Sequence, residues 1–249
     1  MRFLKTVAFW IFPALLQSSP AKPIAGPNEH VVLLHGLCRT PSSMAKMERT
    51  LTEAGYTVHN LSYPTRKKPV ARLAEEHLTP KLALPEIQNA TKVHFVTHSL
   101  GGIVLRQYLS NHNPHNLGRI VLLGPPSQGS HIVDKIGHWK LFQALNGPAG
   151  NQLGCSAESL PNQLGPLGHD HAVIAGSRSI NWINSCMIPG LDDGKVSVAN
   201  THLPDTTSHL VLPVTHPYLM KNERVIRNVV HYLSEGTFDE GEDIRSFES

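Results

Sequence analysis

No run of basic residues longer than Arg66-Lys67-Lys68 occurs in this sequence, and aromatic residues make up only 6% of it. A nucleic-acid-binding surface needs clustered cations and stacking rings, so the sequence gives no support to a nucleic-acid partner. Charged residues are scarce as well, at 16% against 40% hydrophobic, which points to a packed core and away from intrinsic disorder. The net charge of +3 falls toward neutrality once Arg2 and Lys5 at the N-terminus are set aside. Internal repeats and low-complexity tracts are absent. Metal-motif spacings are missing too: there is no HExxH and no cysteine-rich pattern. Of the 16 histidines only His169-Asp170-His171 and His112 with His115 cluster, which favours structural or surface roles and predicts no metal and no cofactor. Three cysteines, Cys38, Cys155 and Cys186, permit one disulfide, for which Cys155 and Cys186 are the candidate pair. Cys38 is expected to be a small packing residue.

Met1 to Lys5 is a short basic segment, Thr6 to Leu16 is apolar, and Gln17-Ser18-Ser19-Pro20-Ala21 supplies small residues. This layout predicts a signal peptide over 1–21, with cleavage as late as 25, and an exported protein, periplasmic or secreted. The apolar stretch is short for a spanning helix, which takes about 20 residues. An uncleaved membrane anchor is the alternative. No cysteine follows the segment to take a lipid.

The rest reads as one domain over 28–234 with a polar tail over 235–249. Apolar strands are expected at Val31–His35, Tyr56–Tyr63, Val93–Val96, Arg119–Gly124, Ala172–Gly176 and His209–Val214. Helices are expected between them, at Pro41–Ala54, Val70–Leu78, Ile103–Leu109, His131–Leu145 and Tyr218–Leu233, with Pro80 and Pro85 breaking the second. Nearly continuous apolar strands alternating with helices predict an α/β fold, a mostly parallel sheet of about six strands covered on both faces. The longest stretch between strands, 127–170, is the expected cap.

Thr97-His98-Ser99-Leu100-Gly101-Gly102 sits between a buried strand and a helix. A serine on such a turn matches the nucleophile elbow, with Thr97 in place of the usual first glycine. Leu33-Leu34-His35-Gly36-Leu37 ends another strand and is placed to offer the Leu37 N–H, beside that of Leu100, to an oxyanion. Asp192-Asp193-Gly194 supplies a carboxylate at a turn, and His216 follows the last strand. His216 is the expected base, because it falls on the same sheet edge as Ser99, whereas His209 opens that strand at the opposite edge. Asp193 is preferred to Asp192 as the acid, since it stands directly before Gly194; Asp205 is a third candidate. His35, Gly36, His98 and Gly101 are expected to support this site. Ser99, then the acid, then His216 is the chain order of one hydrolase group and differs from the orders of chymotrypsin and subtilisin.

With Val93–Ile103, Gly124–Ser130, Asp193–Val198 and Pro213–His216 together, the chain resembles the small lipase- and esterase-like members of the bacterial α/β-hydrolase superfamily. The likeness runs from about Asn28 to Leu233. It implies a Ser–His–Asp hydrolase of carboxylic esters, with Ser99, His216 and Asp193 in those roles and a small cap after the fold's strand 6, here Arg119–Gly124. The expected substrate is a small-molecule or lipid ester, with membrane-surface contact through the cap. Thioester cleavage or acyl transfer by the same triad, and a non-catalytic binding module, are the rival readings.

Overall fold

The structure, a computed structural model, describes residues 24–239. The expected leader over 1–21 and the end of the tail, from residue 240, lie outside the described residues. A sheet of six parallel strands forms the centre, in the order β2-β1-β3-β4-β5-β6. The strands are β1 (Glu29–Leu34), β2 (Thr57–Leu61), β3 (Lys92–His98), β4 (Leu117–Leu123), β5 (His171–Gly176) and β6 (Ser208–Leu212). Each falls where the apolar runs predict it. This is the α/β-hydrolase fold.

Side chains alternate across a strand, so each strand feeds two cores. Val32 and Leu34 of β1 join Phe95, Ile120 and Val173 on one face, under the helices of the β2–β3 connection and the helix that follows β3. Val31 and Leu33 join Val96, Val121 and Ile174 on the other, under α1 (Ala45–Glu53) and the last helix. Strands buried on both sides need no polar face, which is why their sequences read as unbroken apolar runs.

The β2–β3 connection departs from expectation at Pro80. Helical backbone runs from α2 (Val70–Leu73) through a π-helical turn at Ala74–Leu78 into α3 (Thr79–Leu82), and α4 (Pro85–Gln88) follows. The wider turn, in which the Thr79 N–H reaches back to Ala74 O, carries the helix past the proline instead of ending it. After β3 comes α5 (Leu100–Leu109). The cap holds α6 (His131–Ile136), α7 (Lys140–Asn151) and α8 (Leu160–Gln163). The single cap helix expected at 131–145 is therefore divided at Gly137, and α7 continues beyond it with a kink at Gly147-Pro148. Short helices α9 (Trp182–Ser185) and α10 (Val198–Thr201) lie between β5 and β6.

The expected helix from Tyr218 is also divided. Residues His216–Lys221 form a 3₁₀ turn, and α11 (Glu223–Glu235) starts where the Asn222 side chain accepts the N–H groups of Arg224 and Val225. Past α11, Phe238 packs on Tyr232, with ring centroids 5.4 Å apart, so the first residues of the expected tail are held. Among the described residues no helix is long and apolar enough to cross a membrane.

Candidate active site

Ser99 is the single residue between β3 and α5, with φ 53° and ψ −121°. Positive φ is costly for a residue with a Cβ, and an ordinary N-cap serine has no need of it. The turn is held at both ends: the Ser99 N–H donates to Leu123 O at 2.9 Å, and Ser99 O accepts from the Gly102 N–H at 2.9 Å. A Cβ on Gly101 would lie 2.5 Å from Leu34 O, so glycine is what lets α5 approach β1. Thr97, the departure from the usual elbow pattern, is fully buried, and its hydroxyl lies 3.3 Å from where a Gly102 Cβ would stand. The space it takes is therefore under α5 and away from the site.

Asp193 and His216 arrive from the loops after β5 and β6, on the sheet edge that carries Ser99. His216 Nδ1 lies 2.6 Å from Asp193 Oδ2. The other carboxylate oxygen accepts the N–H groups of Lys195 at 3.0 Å and Val196 at 2.9 Å, and the His216 N–H donates to Asp193 O at 2.9 Å. Asp193 is 1% exposed. A carboxylate locked in this way fixes the imidazole with its proton on Nδ1, leaving Nε2 as the acceptor. Asp192 is used differently: its Oδ1 accepts from the Gly194 N–H at 2.7 Å and the Ser185 hydroxyl at 2.9 Å. Asp205 accepts from the Gly168 N–H. His209 contacts the Thr201 hydroxyl at 2.9 Å, and burial pushes its pKa down to about 4.

Ser99 and His216 face one cavity of about 410 Å³, together with Leu37, His98 and cap residues Ile132, Val133 and Phe142. Among the described residues the Ser99 hydroxyl makes no protein hydrogen bond, and it shares the cavity with His216. Leu100 is the first residue of α5, so its N–H has no acceptor within the helix and adds to the positive end of the dipole there. Leu37 lines the same cavity as Ser99. A larger groove of about 970 Å³ runs between α1 and α11 beside Ile24 and contains neither Ser99 nor His216.

The supporting residues form a layer beneath. His98 Nε2 donates to His216 O at 3.1 Å, and the two rings stand 4.7 Å apart. Burial holds His98 well below the usual histidine pKa, with His216 adding to the effect, so it acts as a neutral donor that positions the His216 backbone. A Cβ on Gly36 would fall 2.7 Å from His98 Nδ1. His35 is stacked on Tyr63, with centroids 4.4 Å apart, and the Tyr63 hydroxyl donates to His35 O. Burial lowers the His35 pKa.

Arg106 was not visible as a site residue from the sequence. It is 3% exposed on α5, and its guanidinium donates to Ser127 O at 3.0 Å and Pro161 O at 2.8 Å, and also to Gly165 O. It ties both ends of the cap to the helix behind the nucleophile. A basic residue in an otherwise apolar helix face (Ile103, Val104, Leu105, Leu109) is the signal that would have found it. The cysteines also correct the sequence reading. All are free thiols, with no bridge between Cys155 and Cys186. Cys38 is exposed on the rim of the cavity and not packed, because its backbone turns out at φ 55°.

The family model for palmitoyl protein thioesterase matches residues 30–164, more than half of the chain. That span includes Ser99 and most of the cap, with all three of its helices, but ends before Asp193 and His216. No curated protein matches the sequence. Among solved structures, the mature form of the lipase BlEst2 from Bacillus licheniformis is 23% identical with a TM-score of 0.58, over 82% of this chain and 88% of that one. The metagenomic carboxyl esterase MGS0156 is 16% identical with a TM-score of 0.59, over 85% of this chain and 71% of that one. Phospholipase PlaB from Legionella pneumophila gives 16% and 0.58, over 77% of this chain and 53% of its own length. At these identities the solved structures speak to the fold, and the family follows from the matched model: this chain belongs to the palmitoyl protein thioesterase family of α/β-hydrolases.

Proposed function

We propose that the protein is a serine hydrolase that cleaves carboxylic esters of apolar acyl groups through an acyl-enzyme on Ser99. The observation that carries this reading is the 2.6 Å contact between Asp193 and His216 at the wall of the cavity that Ser99 opens into. His216 Nε2 takes the Ser99 proton as Oγ attacks the acyl carbonyl carbon. The N–H groups of Leu37 and Leu100 receive the negative charge that develops on the carbonyl oxygen. As the tetrahedral intermediate collapses, the imidazolium returns its proton to the leaving alkoxide. Water, deprotonated by the same imidazole, then releases the acid and frees Ser99.

Ile132, Val133 and Phe142 in the cavity wall support an apolar acyl group. Trp139, Leu141 and Leu145, exposed on the outer side of the cap, support contact with a lipid surface. An exported location belongs to the same reading and rests on the N-terminal segment alone. The family match favours a second reading, thioester cleavage, which needs no change in the machinery.

The test is Ser99→Ala, checked for folding by circular dichroism. Turnover of p-nitrophenyl esters from acetate to palmitate should fall by roughly 10⁴-fold or more, and fluorophosphonate labelling should vanish. A Ser99→Ala protein that keeps its turnover overturns the proposal. Matched oxygen esters and thioesters, compared by kcat/KM, decide between the two readings.

A further inference from the structure

The cap leaves the body of the protein and returns to it at one place, and three side chains of metal-binding type meet there. Residue 131 opens α6 and residue 134 stands one turn later on the same side of the helix. The returning chain is pinned against that turn: the Ser130 N–H donates to Leu153 O at 2.8 Å, and the Cys155 N–H donates to Asp134 Oδ1 at 2.9 Å. A ring nitrogen of His131, a carboxylate oxygen of Asp134 and Cys155 Sγ all lie within 4.8 Å of one another.

We propose that His131, Asp134 and Cys155 bind one zinc ion that staples the two ends of the cap segment together. One imidazole, one carboxylate and one thiolate form a donor set for a borderline-soft dication; calcium and magnesium prefer all-oxygen sets. Bond lengths of about 2.0–2.3 Å put the donor atoms of a zinc tetrahedron about 3.3–3.8 Å apart, so side-chain rotation is enough to close the set. Binding releases the Cys155 thiol proton to solvent, and the two anionic ligands balance the dication. Water takes the fourth position. Asn200 Nδ2 donates to Cys155 Sγ at 3.3 Å and is itself fixed on Gly129 O at 3.2 Å, an outer-shell contact that would orient a metal-bound thiolate.

This site is separate from the Ser99 chemistry. Asp134 faces a polar cleft of about 450 Å³, whereas Ile132 on the same helix turns to the substrate cavity. Its consequence is mechanical. A metal joining 131 and 134 to 155 closes the loop that holds α6 and α7, whose inner residues form one wall of the acyl cavity. The histidine and aspartate, three apart, carry no metal-motif spacing in the sequence, because the third ligand returns only through the folded cap.

The full chain, stripped with a chelator, is titrated with zinc against a chromophoric competitor, and separately with cobalt(II). One equivalent should bind tightly. The cobalt form should show a thiolate-to-metal charge-transfer band, and saturating zinc should raise the melting temperature. Cys155→Ser should lose the band, and both Cys155→Ser and His131→Ala should weaken binding by 100-fold or more. His169→Ala and Ser99→Ala should bind as the parent does. Failure to bind one equivalent overturns the proposal. So does binding that survives both ligand substitutions, or a cobalt spectrum without the sulfur band.

Discussion

The two walls of the candidate active site are built on opposite principles. On the sheet side each functional group is held by backbone: Ser99 by Leu123 O, Asp193 by two N–H groups and His216, and His216 by Asp193 O and, through its own carbonyl, by His98. On the cap side the helices are short, kinked at Gly147, and leave Leu141 71% exposed and Trp139 57% exposed. Under the proposed function, positional precision is concentrated where a proton would move, and exposed apolar surface where an acyl chain would enter. The sheet wall should therefore respond sharply to single-atom changes, and the cap wall should not.

The two adjacent aspartates give the sharpest test. Asp193→Asn keeps the shape of the side chain but lets its amide donate where a carboxylate must accept the His216 Nδ1 proton. Loss of that acceptor favours the wrong tautomer, and kcat should fall by about 10⁴-fold with little change in stability. Asp192→Asn retains an oxygen for Gly194 and Ser185, and should cost about tenfold or less. Equal losses in the two variants would remove Asp193 from the acid role.

Arg106 joins the two regions, so its replacement should act on both. Arg106→Met preserves length in the core but leaves the carbonyls of Ser127, Pro161 and Gly165 without their donors. Roughly 3 kcal/mol of stability should be lost, read from urea unfolding, since buried acceptors without partners are costly. Burial already lowers the Arg106 pKa to about 10, a measure of how far this charge has been taken from water. A loss below about 0.5 kcal/mol would show that the cap is anchored elsewhere.

Acid should act on the sheet region. Burial pushes the pKa of His94 down to about 4 despite the opposing pull of Glu29, brings His209 to about 4, and holds His98 well below the ordinary value. In the unfolded chain these side chains take up protons near pH 6.5; in the folded protein His94 and His209 stay neutral until about pH 4, and His98 is held neutral below its ordinary range as well. The unfolded state thus binds more protons across that interval, and stability is lost as pH falls from about 6.5 to 4. The urea midpoint measured at pH 7.5 should exceed that at pH 5. His94→Gln should flatten the dependence, and a midpoint indifferent to pH would show that these rings are not held neutral.

The same contrast governs how much was legible in the sequence. The central strands β1, β3, β4 and β5, largely buried on both faces, write themselves as apolar runs, whereas the half-buried edge strands β2 and β6 were readable from their place between helices and turns, and Ser99, Asp193 and His216 stand next to the ends of three strands or in their loops. Asp193 was separable from Asp192 by its place at the turn, although only the folded loop puts one carboxylate on His216. The cap was legible as a long interval but not in detail. Its helices are divided at Gly137 and kinked at Gly147-Pro148, residues whose effect depends on what surrounds them, as Pro80 also shows inside a run of helical backbone. Arg106, and the meeting of His131 and Asp134 with Cys155, depend on contacts between distant segments that no local pattern encodes.

The smallest effect on stability is expected on the outer cap. Leu141 and Leu145 are 71% and 53% exposed on the outer side of α7, whereas Phe142 of the same helix lines the cavity. Replacing both with serine removes little buried area, so the urea midpoint should move by no more than about 0.5 kcal/mol equivalent. Turnover of a short, soluble ester should be unchanged, because the proposed catalytic groups lie on the sheet wall and the cavity lining is intact. If these side chains seat the cap on a lipid surface, the loss appears only when substrate is presented in vesicles or emulsion, as a several-fold drop in rate that follows a drop in vesicle co-sedimentation. A parallel fall on soluble and aggregated substrate would mean that the leucines act through the fold of α7. Equal rates on both, with co-sedimentation unchanged, would detach the cap from any lipid role and leave it as a lid over the cavity.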